Sequence, residues 1–176
     1  MSSCKAGGLI NQSLNELNSD DDGRIADDKL EKIIKAINGK DKETLKSMFS
    51  EQALNEAEDI DGRMDYLFDF INETVESWEK VVHGATTESI ESGNRIKKSS
   101  SWYYMDTNKQ KYLIFFLECT INTKCPENVG LYMLQVIRAE DKDEQFDGGG
   151  PVTRCAGIYT KRVIYERFKP IYWLNQ

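Results

Sequence analysis

Histidine is almost missing from this chain, with His83 standing alone among 176 residues. A single imidazole gives no pattern from which to argue a Ser-His-Asp nucleophile set. Cysteine is scarce as well: Cys4, Cys119, Cys125 and Cys155 form no disulfide framework, and their spacing fits no zinc site. Cys119, inside an apolar run, reads as a small buried hydrophobe. No apolar run approaches the length of a membrane span. Positive charge is short too, with 23 basic against 30 acidic side chains and a net charge of −7. Phosphates would be repelled by such a chain, so nucleic acid is excluded as a partner. Residues 1–93 carry 21 acidic and 10 basic groups while residues 94–176 carry 9 and 13, a difference that fits solvated helix faces preceding strands. Gly148-Gly-Gly150 lacks a strand before it, a helix after it and a lysine at P-loop spacing, so it is no phosphate loop. No cofactor and no metal are expected.

What is present is organised around Lys111 to Asn122 and Gly130 to Ala139. Both are rich in β-branched and aromatic residues, and Cys125-Pro-Glu-Asn-Val between them reads as a turn. The length suits one domain with a real core. Leu30, Ile33, Ile34 and Ile37 fall at helical spacing within Ile25 to Asn38, and Gly39 is a suitable stop. Asp41 is expected to cap a second helix carrying Leu45, Met48 and Phe49. Ser50 starts a third with Ala53, Leu54 and Ala57, and Asp61 caps a fourth with Met64, Leu67, Phe68 and Ile71. The period then changes. Val75 to Val82 and Thr87 to Ile96 read as strands turned at His83-Gly84, Lys98 to Thr107 as a third, and Gly157 to Lys161 as a last edge strand. Helices followed by an antiparallel meander give an α+β fold with the helices on one sheet face. The domain is placed at residues 25–160, with a polar tether over 1–24 and a tail of uncertain structure over 161–176.

Asn18 to Ile25 imitates the start of a calcium loop, but its twelfth position is Lys29, whose ammonium repels the cation. The stretch is read instead as tether and helix N-terminus, where Asp27 and Asp28 suit the macrodipole. Met1-Ser-Ser-Cys4 with a polar spacer after it resembles the end of a lipobox, in which the cysteine takes a diacylglycerol. That reading requires an apolar signal segment upstream of Met1.

Asp41-Lys-Glu-Thr-Leu-Lys-Ser-Met-Phe-Ser50, Asn128-Val-Gly130-Leu-Tyr and Ala156-Gly-Ile-Tyr159 resemble an uncharacterised family of Gram-positive bacterial lipoproteins. Their fold is the nuclear transport factor 2-like, cystatin-like cone. The resemblance covers about residues 25–160 and rests on structural motifs. It implies lipidation at Cys4, a place on the extracellular face of the cytoplasmic membrane held only by that anchor, and a concave pocket.

Alternation in the central hairpin, taken with partners summing to about 252, assigns two faces. Leu113, Phe115, Leu117, Cys119 and Ile121 with Leu131, Met133, Gln135 and Ile137 form the more apolar one, expected to face the helices. Gln135, Met133, Leu117, Trp78 and Trp102 are therefore the pocket candidates, with Gln135 as the polar end of a cavity for a small apolar or amphipathic ligand. Ile114, Phe116, Glu118, Tyr132, Leu134 and Val136 fall on the outer face. Their apolar area predicts a two-fold homodimer packed sheet on sheet. Glu118 is the one carboxylate in an apolar strand, where burial would raise its pKa. The function this supports is non-catalytic ligand binding. The alternatives are an assembly module acting through the outer face and an isomerase or dehydratase of the same fold, which would need a pocket carboxylate within reach of a tyrosine.

Overall fold

A computed structural model describes residues 7–147 and 155–161, with side chains for these apart from residues 7–21 and 82–84. Cys4, residues 148–154 and the residues beyond Lys161 lie outside the described residues. Four helices come first: α1 (Gly7–Gly39), α2 (Lys42–Ser47), α3 (Glu51–Glu56) and α4 (Ile60–Phe70). Strands β1 (Val75–Glu91), β2 (Asn94–Thr107), β3 (Lys111–Asn122) and β4 (Gly130–Arg138) follow, then the short helix α5 (Lys142–Gln145) and strand β5 (Gly157–Tyr159). Among the described residues the sheet runs in chain order, β1-β2-β3-β4-β5, curved and unclosed, with α1–α4 against one face. This is the α+β cone arrangement expected. The first three pairings are antiparallel, and β5 joins β4 in parallel.

Local chemistry accounts for the helix ends. The Asp41 carboxylate accepts from Thr44 N at the start of α2, and Ser50 Oγ accepts from Ala53 N at the start of α3. At α4 the cap is Asp59, not the expected Asp61. Asp59 holds φ at +46° and accepts from Gly62 N, where any side chain larger than hydrogen would meet the carboxylate at 2.3 Å.

Two further expectations change. α1 begins at Gly7, well before Ile25. Ile10, Leu14 and Leu17 carry the same i, i+4, i+7 spacing as the later part of the helix, a pattern masked by the many Ser, Asn and Asp residues between them. The calcium-like stretch is thus continuous helix. The turn expected at His83-Gly84 is instead a β-bulge inside a single long strand, where the register shifts between His83 and Thr86. Glycine inside a strand marks such a site. The true turn is Ser92-Gly93, both at positive φ, the geometry of a two-residue hairpin that follows the strand twist.

The core lies between sheet and helices. Leu30, Ile33 and Ile37 of α1, Leu45 of α2, Met64, Leu67 and Phe68 of α4 pack on Tyr103 and Met105 of β2, Tyr112, Ile114 and Phe116 of β3, and Leu134 and Val136 of β4. From Tyr112 to Phe116 of β3 and from Met133 to Ile137 of β4 the faces are the reverse of those expected, while Leu131, past the register shift, joins the helix-side core as expected. Ile114, Phe116, Leu134 and Val136 are buried beneath the helices, as is Glu118, and they form no outer dimer face. Strand partners sum to 250, as in Leu113↔Ile137, which keeps the parity of the expected pairing; a shift between Leu117 and Glu118 then pairs Glu118 with Leu131. Parity was right and the side was wrong. The opposite face is covered as well, because Phe146 packs on Trp102 and Phe115, with ring centroids 5.3 and 5.4 Å away. Two buried faces remove the contrast on which the assignment depended.

The stretches that carried the family resemblance are close backbone approaches. Leu131 N donates to Met48 O at 2.8 Å and Ser50 N to Leu131 O at 2.9 Å, adding the α2–α3 junction as a short parallel bridge beside β4. Gly130, at φ +137°, lies where a Cβ would come within 2.8 Å of Met48 O and Ser50 N. At Gly157, φ +109°, the neighbour is Ala57 of α3's end.

Candidate functional site

Beside that junction a cleft of about 310 Å3 opens on the helix side of the sheet. Leu117, Glu118 and Cys119 of β3 form one wall, Lys98, Ser99 and Ser100 of β2 and Ala85 and Thr87 of β1 a second. Ser50 and Gln52 at the start of α3, Asn128 from the β3–β4 connection and Tyr132 complete it. The volume is at the lower end of small-molecule clefts, which span roughly 300–1,000 Å3.

Glu118 is the unusual group. Its side chain is 2% exposed, and its cation is Lys29 of α1, with Nζ 3.5 Å from Oε2. Oε1 is buried without a hydrogen-bond partner among the described residues. Burial pushes the Glu118 pKa above the usual glutamate range; Lys29 and the nearby Ser99 hydroxyl pull the other way and do not cancel it. α1 is held over this end of the sheet by further charges. Asp22 pairs with Lys97 at 2.5 Å, and Asp27 with Lys80 at 2.6 Å. Tyr103 donates to Asp27 at 2.8 Å, and its phenol is pushed strongly upward, first by burial and then by that bond.

The five pocket candidates do not come together. Leu117 lines the cleft. Trp78 packs on the helix side, edge-on to Tyr103 at 5.5 Å. Gln135, Met133 and Trp102 lie on the other face, where Gln135 Nε2 donates to the backbone carbonyls of Gln145 and Lys161, at 3.2 and 3.3 Å. Gln135 is a core amide bonded to backbone. Of the dimer-face candidates, Glu118 and Tyr132 line the cleft, and the remainder are core. Tyr132 donates to Glu56 of α3 at 2.8 Å. The tyrosines near the carboxylate, Tyr103 and Tyr132, thus direct their hydroxyls to Asp27 and Glu56. Among the described residues no group of three or more His, Cys, Asp or Glu side chains is placed to hold a metal, and no helix is long and apolar enough to cross a membrane. Cys119 is buried as expected, and burial raises its thiol pKa.

One signal in the sequence pointed to the site. Lys29, Ile33 and Ala36 share a helix face at i, i+4, i+7, so a lysine sits on the buried stripe of α1. A lysine there needs an anion opposite, and Glu118 is the one carboxylate in the central hairpin strands.

No curated protein matches the chain. Residues 32–139, which run from the middle of α1 through β4 and exceed half the chain, match the family described as a domain of unknown function, DUF5104. The chain belongs to that uncharacterised family.

Proposed function

We propose that this protein is a lipid-anchored, non-catalytic binding domain of the nuclear transport factor 2-like type, which takes a small ligand in the cleft floored by Leu117 and Glu118. The observation that carries the reading is Glu118, a carboxylate 2% exposed at the edge of an open cleft, which Lys29 and Ser99 serve while its Oε1 is left without a hydrogen-bond partner among the described residues. Leaving such an atom unsatisfied costs on the order of 1–3 kcal/mol, and a ligand donor would recover it. The polar anchor of the ligand is therefore Glu118, in place of Gln135. Binding is favoured over turnover because the two neighbouring tyrosines are committed to other carboxylates. The lipid anchor rests on Cys4 with its Ser2-Ser3 flank and on the lipoprotein resemblance, and it puts the domain outside the cytoplasmic membrane.

Two measurements test the two halves. Mass spectrometry of the product expressed with its upstream region should find Cys4 diacylated; an unmodified, wholly soluble protein contradicts the anchor. For the cleft, a thermal-shift screen of small soluble compounds should give hits on the wild type that vanish in a folded Leu117→Trp variant. Hits that persist unchanged in that variant place binding elsewhere.

A further inference from the structure

The donor and acceptor pattern of the cleft restricts what can occupy it. Glu118 Oε1 can only accept when ionised. Ser50 Oγ already accepts from Ala53 N at 3.1 Å, which leaves its proton to donate. Gln52 donates Nε2 to Glu56 at 2.8 Å, which leaves its carbonyl oxygen as an acceptor. Asn128 brings an amide with both capacities, and the Ser99 hydroxyl already turns its proton to the Glu118 carboxylate, which leaves its oxygen to accept. The lining of one small space therefore offers both donors and acceptors, with Leu117 and Ala85 supplying an apolar surface.

Charge narrows the choice further. The anions at this end of the sheet already have cations: Glu118 has Lys29, Asp22 has Lys97, and Asp27 has Lys80. A carboxylate or phosphate would meet Glu118, and the cation among the lining residues, Lys98, is exposed to solvent. An ammonium would leave the hydroxyl and amide donors unmatched. A hydroxyl gives and takes one hydrogen bond at a single atom, as this lining requires.

Resting on the binding role above, we propose that the ligand is a small neutral polyhydroxylated molecule, a sugar or sugar alcohol of monosaccharide size. One hydroxyl donates to Glu118 Oε1, neighbouring hydroxyls bridge Asn128, Gln52 and Ser50, and the carbon face lies on Leu117. The Asn128 amide, with a donor and an acceptor side by side, suits two adjacent hydroxyls.

The test is isothermal titration of the full chain with hexoses, inositol and ribitol, and with butylamine, butyrate and 1-hexanol as comparators. At least one polyol should bind saturably, and its affinity should fall at least tenfold in Glu118→Met and in Asn128→Ala, both checked for fold by circular dichroism. Asn128→Ala is at a surface connection and keeps the test open if Glu118→Met does not fold. If a comparator binds and is lost in Leu117→Trp while no polyol binds, the ligand class is overturned and the binding role stands. If polyol affinity is unchanged in Asn128→Ala and in every folded Glu118 variant, the assignment of these groups is wrong. If nothing binds wild type, both readings fall.

Discussion

At the scale of single residues, Glu118 carries most of the account. Its carboxyl pKa is raised above the ordinary value of about 4.5, because burial outweighs the Lys29 ammonium. The folded state therefore holds its proton more tightly than the unfolded chain. The stability this confers is complete below about pH 4.5 and is lost as pH rises through the higher folded value. Glu118→Gln removes the charge and leaves Lys29, which at 23% exposure can reach water. The variant should match or exceed wild-type stability at pH 7, by up to about 1 kcal/mol. Its advantage should shrink or reverse at pH 4, measured by urea unfolding of both proteins at the two pH values. A stability difference that does not change with pH would show that the Glu118 carboxyl has the same pKa folded and unfolded, so that burial does not raise it. Gln135 is the instructive contrast. It is equally buried and was the more obvious polar candidate in sequence, yet two backbone carbonyls satisfy its amide. Sequence reveals that a polar group is buried; only the fold reveals whether it has a partner.

At the scale of elements, the helices are well marked in sequence because their chemistry is local. Asp41 and Ser50 cap where capping rules place them, and the Leu30–Ile37 stripe is buried as its spacing requires. Strands were less legible. The length of β1 depends on a bulge around Gly84, and which face of β3 meets the helices depends on α5 and Phe146 covering the other. Both are non-local facts that alternation cannot supply. The join between the helical layer and the sheet is similarly non-local. Asn38, at the end of α1, uses its side-chain amide as a strand would, accepting from Val75 N at 2.9 Å and donating to Val75 O at 3.1 Å. Asn38→Ala removes both bonds at the first residue of β1 and should cost about 1–3 kcal/mol in thermal or urea unfolding. Asn38→Asp, which keeps the shape but sets an acceptor against Val75 O, should be no better than alanine. If aspartate restores stability, the clamp is not what joins the two layers.

At the scale of the whole molecule, reversing the hairpin faces changes what the protein can do. With Ile114, Phe116, Leu134 and Val136 packed under the helices, the sheet-on-sheet homodimer loses its named surface, and the assembly reading loses it too. Phe116 is fully buried and stacked on Tyr103 at 6.0 Å. A glutamate there would put an unpaired charge in the core, and Phe116→Glu should lose at least about 3–5 kcal/mol and unfold or aggregate. A folded, merely monomeric Phe116→Glu protein by light scattering and circular dichroism would restore the outer-face assignment. The inversion also moves the site. The helices and sheet do enclose a concavity, but its centre is filled by Phe116, Tyr103 and Met105, and the open volume lies at the end where α3 meets β3 and β4. The most direct measurement of the central claim is a crystal structure of the wild-type protein grown with the tightest-binding polyol. The account predicts ligand density between α3 and β3, with an oxygen within hydrogen-bond distance of Glu118 Oε1. Density on the Trp102–Gln135 side, or an empty cleft with Glu118 turned out to solvent, would contradict it.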